Sequence, residues 1–272
     1  MSSYRIPGPI CGSSQPRPID DGTLSRWLAP PLGPVCAASP LYAASTLIGA
    51  GVREDADMSF LFRQCLNPIR GVSESDYADA ARSLGVEIAV IKAVAEVESP
   101  RGPFDSQGRP EILFERHYFH RLTAGAHDTT HPDISNSAAG GYGKFSAQYP
   151  KLQRAYELNA DAALRSASWG RFQIMGNNYE AAGFTSAAAF VRAMTKSELE
   201  HLQAFVNFVK SDAAQVSALR AKNWAGFAAR YNGKAYKKNS YDVKLEAAYE
   251  KFAAAAAGAS STAAPGSASP IP

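Results

Sequence analysis

The sequence predicts a mostly α-helical domain over residues 71 to 253, behind a Pro-rich N-terminal segment. Three observations carry this expectation. Pro and Gly crowd the first 70 residues in runs such as PGPI, PRPIDDG and APPLGP. From Ser73 onward, apolar residues recur at helical spacing. Residues that start and stop helices, such as Ser73 and Gly85, fall at the ends of those runs.

The first 70 residues favour turns and extended chain over continuous helix. The exception is 39–51, where LYAASTLIGAG predicts a short buried helix. GPIC and GPVC echo each other but are too short for a repeat. The segment reads equally as a small binding or delivery module or as an arm packed on the main domain. All 3 cysteines, Cys11, Cys36 and Cys65, lie here without a C-x-x-C pattern. This argues against a disulfide framework, although an oxidising compartment leaves room for one Cys11–Cys36 bridge.

The 272 residues carry a net charge of +3 and 46% hydrophobic residues. That excess suits approach to an anionic polymer and is too small to imply nucleic acid. No apolar run reaches the ~18 residues of a membrane span, so no membrane insertion is expected. The first 17 residues lack the pattern of a classical export signal, which predicts synthesis in the cytoplasm.

SESDYADAARSLG supplies a Ser N-cap, an acidic first turn and a Gly stop. The next helix, in AVIKAVAEVESPRG, ends on two carboxylates. At ~100° per residue Val90, Val94 and Val97 form one stripe with Ile91 at its edge. Glu98 lies roughly 40° from the centre of that stripe and Glu96 about 160° from it. Glu96 is therefore surface, with Lys92 one turn back as an i,i+4 partner. Glu98 points inward, where ionisation is costly and a retained proton makes a general acid. The opposing reading is a helix-terminal Glu that turns to water past Pro100.

Residues 99 to 153 are polar and Gly-rich, broken by EILFERHYFHRL as a helix or strand. Connections this long usually line a cleft or lid, here with a small β element. Helices are expected again over 152–168, 172–182, 186–194, 196–211, 212–222, 223–231 and 240–257. Residues 254–272 are an Ala/Ser/Pro tail expected to be disordered.

Three separated segments, EVES at 96–99, SASWGRFQIMG at 166–176 and ARYNGKAY at 229–236, resemble parts of one site. Together they are similar to the lysozyme-like superfamily of goose-type lysozymes and lytic transglycosylases. The motifs GRPEILFERHYF, GGYG, QYPKLQRAYEL, AALRSASWGRFQIMG, NYEAAGF, FVRAM, WAGFAARYNG and YDVKLEAAYEK, in that order, resemble more closely the phage-type N-acetylmuramidase domain of modular endolysins and antibacterial effectors. The resemblance spans about 73 to 251 and leaves residues 1 to 70 outside.

This resemblance implies a glycoside hydrolase that cuts the β-1,4 bond between N-acetylmuramic acid and N-acetylglucosamine in bacterial peptidoglycan. It places the catalytic acid at Glu98, the carboxylate that helical phase selects independently. Ser99 would cap backbone groups or orient Glu98. Gly170 would let the chain approach the sugar, Gln173 would offer its amide to the sugar or to Glu98, Ser168 would belong to the cleft floor, and Trp169 would stack on a pyranose or sit in the core. Tyr231 and Asn232 match a Tyr-Asn pair beside the acid, and otherwise read as a helix-ending turn closed by Gly233. Glu115 is the first candidate for a second carboxylate, as base or structural anchor, with a buried pair to Arg116 or Arg121 as the competing reading. Asp105 and Asp133 follow if the Gly-rich region covers the cleft.

No cofactor is expected. A metal site formed by His117, His120, His127 and His131 is the weak rival, since no H-E-x-x-H occurs. Further alternatives are a lytic transglycosylase releasing 1,6-anhydro-muramic products and a non-catalytic peptidoglycan-binding module. A monomer is expected, acting at the periplasm or cell wall after release through a membrane pore or delivery by a secretion system. A secretion-system component and a cognate immunity protein are the partners that the second route would bring.

Overall fold

The computed structural model describes residues 57–63 and 65–262. The Cys11–Cys36 pairing, the helix over 39–51 and the tail beyond 262 lie outside them. Residues 57–63 and 65–70 pack into the domain instead of preceding it. Met58 and Leu61 are fully buried, and the Met58 N–H donates to the Tyr156 hydroxyl at 2.9 Å. Ile69 donates to the Lys196 carbonyl at 2.8 Å and accepts from the Glu198 N–H at 3.0 Å. The domain therefore begins before 71, because these apolar side chains complete the core from outside the helical repeat.

Helix α1 (Glu74–Leu84) starts as the sequence predicts, with Ser73 and Asp76 forming a capping box and Gly85 closing it at φ 68. Helix α2 (Ile88–Glu98) buries Val90, Ile91 and Val94. The segment EILFERHYFHRL is both strand and helix: β1 (Ile112–Phe114) runs into α3 (Arg116–Leu122). Helices α4 (Gln148–Leu158) and α5 (Ala160–Arg165) replace the single helix expected over 152–168. Asn159 separates them and caps the second by accepting from Ala162 N–H at 3.0 Å.

The helix expected over 172–182 is also absent. Strands β2 (Ala167–Trp169) and β3 (Ile174–Met175) form a hairpin there, pairing antiparallel in the order β1-β2-β3. Trp169 pairs with Ile112 on one side and Ile174 on the other. The cause is local: Gly170 at φ 70 and Gln173 at φ 47 are left-handed, which no helix interior accommodates.

Helices α6 (Ala187–Met194), α7 (Glu198–Lys210), α8 (Ala213–Arg220) and α9 (Trp224–Tyr231) follow with side-chain caps from Ser186, Ser197, Asp212 and Asn223. Helix α10 (Tyr241–Thr262) runs past 254, so the boundary expected there falls inside a helix. The alanine run that resembled low complexity is also the best helix former. The result is a mostly α, lysozyme-like domain with a small sheet, in which α2 packs against both α1 and α10. Among the described residues, no helix is long and apolar enough to cross a membrane.

Candidate active site

Helix α2 ends on Glu98, whose residue is only 4% exposed. Asn232, which ends α9 and is equally buried, donates its Nδ2 to Glu98 Oε1 at 2.7 Å. Asn232 Oδ1, in contrast, has no hydrogen-bond donor among the described residues. A buried amide acceptor is costly to leave unmatched, so this atom favours a donor arriving from outside. Ser99 Oγ donates to the Gly102 carbonyl and so closes the turn after the helix, without orienting Glu98 directly. Glu96 is surface, as its phase requires, but its partner is Lys251 at 2.6 Å. Lys92 instead pairs with Glu74 at 2.5 Å. The local i,i+4 expectation fails because both side chains find partners on neighbouring helices.

The hairpin residues form a tied unit. Ser168 Oγ donates to Gln173 Oε1 at 2.8 Å, and Gln173 Nε2 donates to the carbonyls of Gly170 at 2.9 Å and Glu111 at 3.1 Å. The Gly170 N–H also donates to the Glu111 carbonyl, at 2.8 Å. Gln173 is thus spent inside the protein, fixing the hairpin and the backbone at Glu111. Gly170 is needed for His201: a Cβ built there would meet the imidazole at 2.6 Å. That contact is by itself enough to exclude a side chain at this position.

Trp169 is 1% exposed and donates its Nε1 to the Leu164 carbonyl at 3.0 Å, so it belongs to the core and offers no face for stacking. Tyr231 is likewise a core residue. Its hydroxyl donates to the Phe172 carbonyl at 2.6 Å and its ring stacks with Phe227 at 5.0 Å. Of the Tyr-Asn pair, Asn232 touches Glu98, while Tyr231 anchors the corner that carries it.

Glu115 is fully buried. The Tyr142 hydroxyl donates to it at 2.9 Å, and His117 Nδ1 stands 3.1 Å away, poorly aligned for a hydrogen bond. The expected Arg116 and Arg121 go elsewhere: Arg116 donates to the Ala138 carbonyl at 3.1 Å, and Arg121 lies 4.1 Å above the Tyr118 ring. Tyr142 sits in the Gly-rich loop, and Lys151 Nζ holds that loop by donating to the Gly141 carbonyl at 2.5 Å and the Tyr142 carbonyl at 2.9 Å. Burial lowers the Lys151 pKa. Asp105 is engaged by Arg109 at 2.7 Å, and Asp133 by Arg154.

One further carboxylate, which the sequence does not single out, is half-buried at the edge of a pocket. Glu111 lines a pocket of about 420 Å³ together with Arg101, Phe104, Phe145 and Tyr149. Arg101 Nε lies 3.1 Å from its Oε1. Burial pushes the Glu111 carboxyl above the usual range, and the Arg101 guanidinium opposes that shift. Ser99 and Pro100 line a second pocket of about 310 Å³ with Tyr77, Arg171 and Phe252. The segment leaving Glu98 therefore borders both. The alternation Glu111-Ile112-Leu113-Phe114-Glu115 was the available signal, since it sets Glu111 and Glu115 on the same strand face.

His201, beneath the hairpin, accepts the Arg171 N–H at Nδ1 (3.0 Å) and donates from Nε2 to the Met194 carbonyl (2.7 Å). Burial brings its pKa from 6.5 down to about 4. The unfolded chain takes up this proton near pH 6.5 and the native chain resists it. The stabilisation is therefore complete above pH 6.5 and is lost as the pH falls to about 4. Its full size is about 3 kcal/mol. Urea unfolding of the wild type and His201→Gln should show a shallower loss of stability for the variant across that window. Equal slopes would mean that His201 does not carry the effect.

The other histidines make separate local contacts: His120 with Asp128 at 2.7 Å, His127 stacked on Phe119 at 5.7 Å and His131 with Thr130 at 2.8 Å. Among the described residues, no three His, Cys, Asp or Glu side chains are grouped to hold a metal ion.

The N-acetylmuramidase family model matches residues 87–253. The crystal structure of the Burkholderia AP3 phage endolysin is similar at 45% identity and a TM-score of 0.64, over 73% of this chain and 76% of that one. No curated protein sequence matches. The matched region contains Glu98, the 166–176 hairpin and Asn232, and with it the chain belongs to the N-acetylmuramidase family, glycoside hydrolases of bacterial peptidoglycan.

Proposed function

We propose that the protein cleaves the β-1,4 bond between N-acetylmuramic acid and N-acetylglucosamine, with Glu98 as the general acid. The observation that carries this reading is the buried Glu98 carboxyl at the end of α2, held by the Asn232 amide at 2.7 Å. A carboxyl withdrawn from water keeps its proton to higher pH than an exposed one. It can then protonate the glycosidic oxygen as positive charge develops on the muramyl ring. Asn232 Oδ1 is available to a hydroxyl or amide N–H of the sugar. Ser168, Gly170 and Gln173 act behind the site as its scaffold, and Glu115 with Tyr142 anchors the Gly-rich loop against the sheet.

The endolysin likeness supports synthesis in the cytoplasm and action on the wall after release through a membrane pore. A monomer suffices for this chemistry. Digestion of Gram-negative peptidoglycan, followed by mass spectrometry, tests the reading. Reducing N-acetylmuramic ends, absent with Glu98→Gln, are expected. Anhydro-muramic ends would make the protein a lytic transglycosylase, and undiminished products from the variant would remove Glu98 from the chemistry.

A further inference from the structure

We propose that the 420 Å³ pocket is a subsite for the peptide stem carried by the muramyl residue, and that Arg101 reads the carboxylate of a diamino acid in that stem. This rests on the muramidase reading, which brings a muramyl ring to Glu98. Reach is the first support. Arg101 follows Glu98 by three residues, so their Cα atoms lie at most about 11 Å apart. The Gly102 N–H donates to the Ser99 carbonyl at 3.0 Å, which folds the segment and shortens that span. An extended stem gains about 3.3–3.6 Å per residue, so three residues suffice to enter the pocket.

The floor of the pocket is already matched within itself. Asp105 accepts from the Gln107 and Arg109 N–H groups at 2.8 and 2.9 Å and from Arg109 Nε at 2.8 Å. The Arg109 guanidinium covers the buried Tyr149 ring at 3.7 Å, and the Tyr149 hydroxyl donates to the Pro110 carbonyl at 2.9 Å. That ring has no bare face for a pyranose. Arg101, at the rim, is set differently. Its side chain is 52% exposed, with Nε 3.1 Å from Glu111 Oε1 and the guanidinium 4.1 Å over Phe145. Those two contacts orient the fork, while no described residue bonds its Nη atoms or the second Glu111 oxygen.

A preformed pocket of small-ligand size thus presents free donors beside a free acceptor. A lone carboxylate at Arg101 would face the Glu111 charge. An amine and a carboxylate on one carbon answer both: the carboxylate takes the Nη fork and the ammonium takes Glu111. The side chain of meso-diaminopimelate ends in this way, that of lysine ends in the amine alone, and a neutral sugar offers neither charge.

The test uses uncross-linked glycan strands whose tripeptide stems end in meso-diaminopimelate or in lysine, a difference of one carboxylate. Wild-type kcat/KM should favour the diaminopimelate strands by about tenfold or more, the worth of one charge-assisted pair. Arg101→Gln in the full chain, its folding checked by melting temperature, should bring that ratio to within about twofold of one. A merely structural role would slow both strands alike and leave the ratio intact. The proposal is overturned by a wild-type ratio near one, or by a ratio that survives in Arg101→Gln. NMR titration with the two free tripeptides reads the same discrimination without cleavage. If neither strand yields reducing muramic ends, the muramidase reading falls and these affinities decide the subsite alone. Tighter binding of the diaminopimelate tripeptide, lost in Arg101→Gln, upholds it, and equal affinities overturn it.

Discussion

Replacing Glu98 by glutamine is expected to lower peptidoglycan turnover by about 10²–10⁴-fold, the range that a positioned general acid supplies. The substitution is isosteric and keeps an oxygen for the Asn232 Nδ2 that now lies 2.7 Å from Oε1. It also relieves whatever burial of charge the acid costs. Thermodynamic stability should therefore remain within about 1 kcal/mol of the wild type or rise slightly. Release of labelled fragments from sacculi and urea unfolding read the two effects separately. A less than tenfold loss in turnover would end the case for Glu98. A large loss accompanied by unfolding would show only that α2 needs the carboxylate to fold.

Gly170→Ala is the second large effect, and it acts through packing. Gly170 lies at φ 70, where an L-residue is strained by about 1–2 kcal/mol. The added Cβ would also meet His201 ring atoms at 2.6 Å in a closed interior. Overpacking of that kind costs about 1–3 kcal/mol, so a total near 3 kcal/mol is expected. Displacement of the Gly170 N–H from the Glu111 carbonyl would carry the damage into the site, and activity should fall as well. Gly102→Ala is the matched control: φ is 97 there, and a Cβ would meet nothing within 4 Å. Equal denaturation midpoints for the two variants would show that contact with His201 is not the reason for glycine.

Much of the fold was legible because it is local. The capping box at Ser73, the Gly85 stop and the phase of Glu98 along α2 depend on residues within a turn or two of each other. The sequence of the 166–176 hairpin partly suits a helix for a definite reason. Short apolar runs such as FQIM fit either a buried strand or a helix, and the deciding feature is the left-handed Gln173, a residue type that gives no sign of it. Glu96 took Lys251 as partner over Lys92 because α10 packs against α2, a contact between residues far apart in sequence. The different settings of Glu111 and Glu115 rest on the same kind of distant contact. Both share a strand face by alternation, but Tyr142, folded over from the Gly-rich loop, covers Glu115, whereas Glu111 lines a pocket.

The packing of α10 and the end of α9 against α2 also sets a clock. Glu98 emerges from the ribosome long before Asn232, and the α10 residues that cover its helix come later still. Until those segments are made and docked, α2 is an apolar helix whose carboxyl lacks the Asn232 amide. Wall-cutting activity should therefore appear as a late, all-or-none event in synthesis, and nascent fragments that already contain the entire hairpin and Glu98 should be inert.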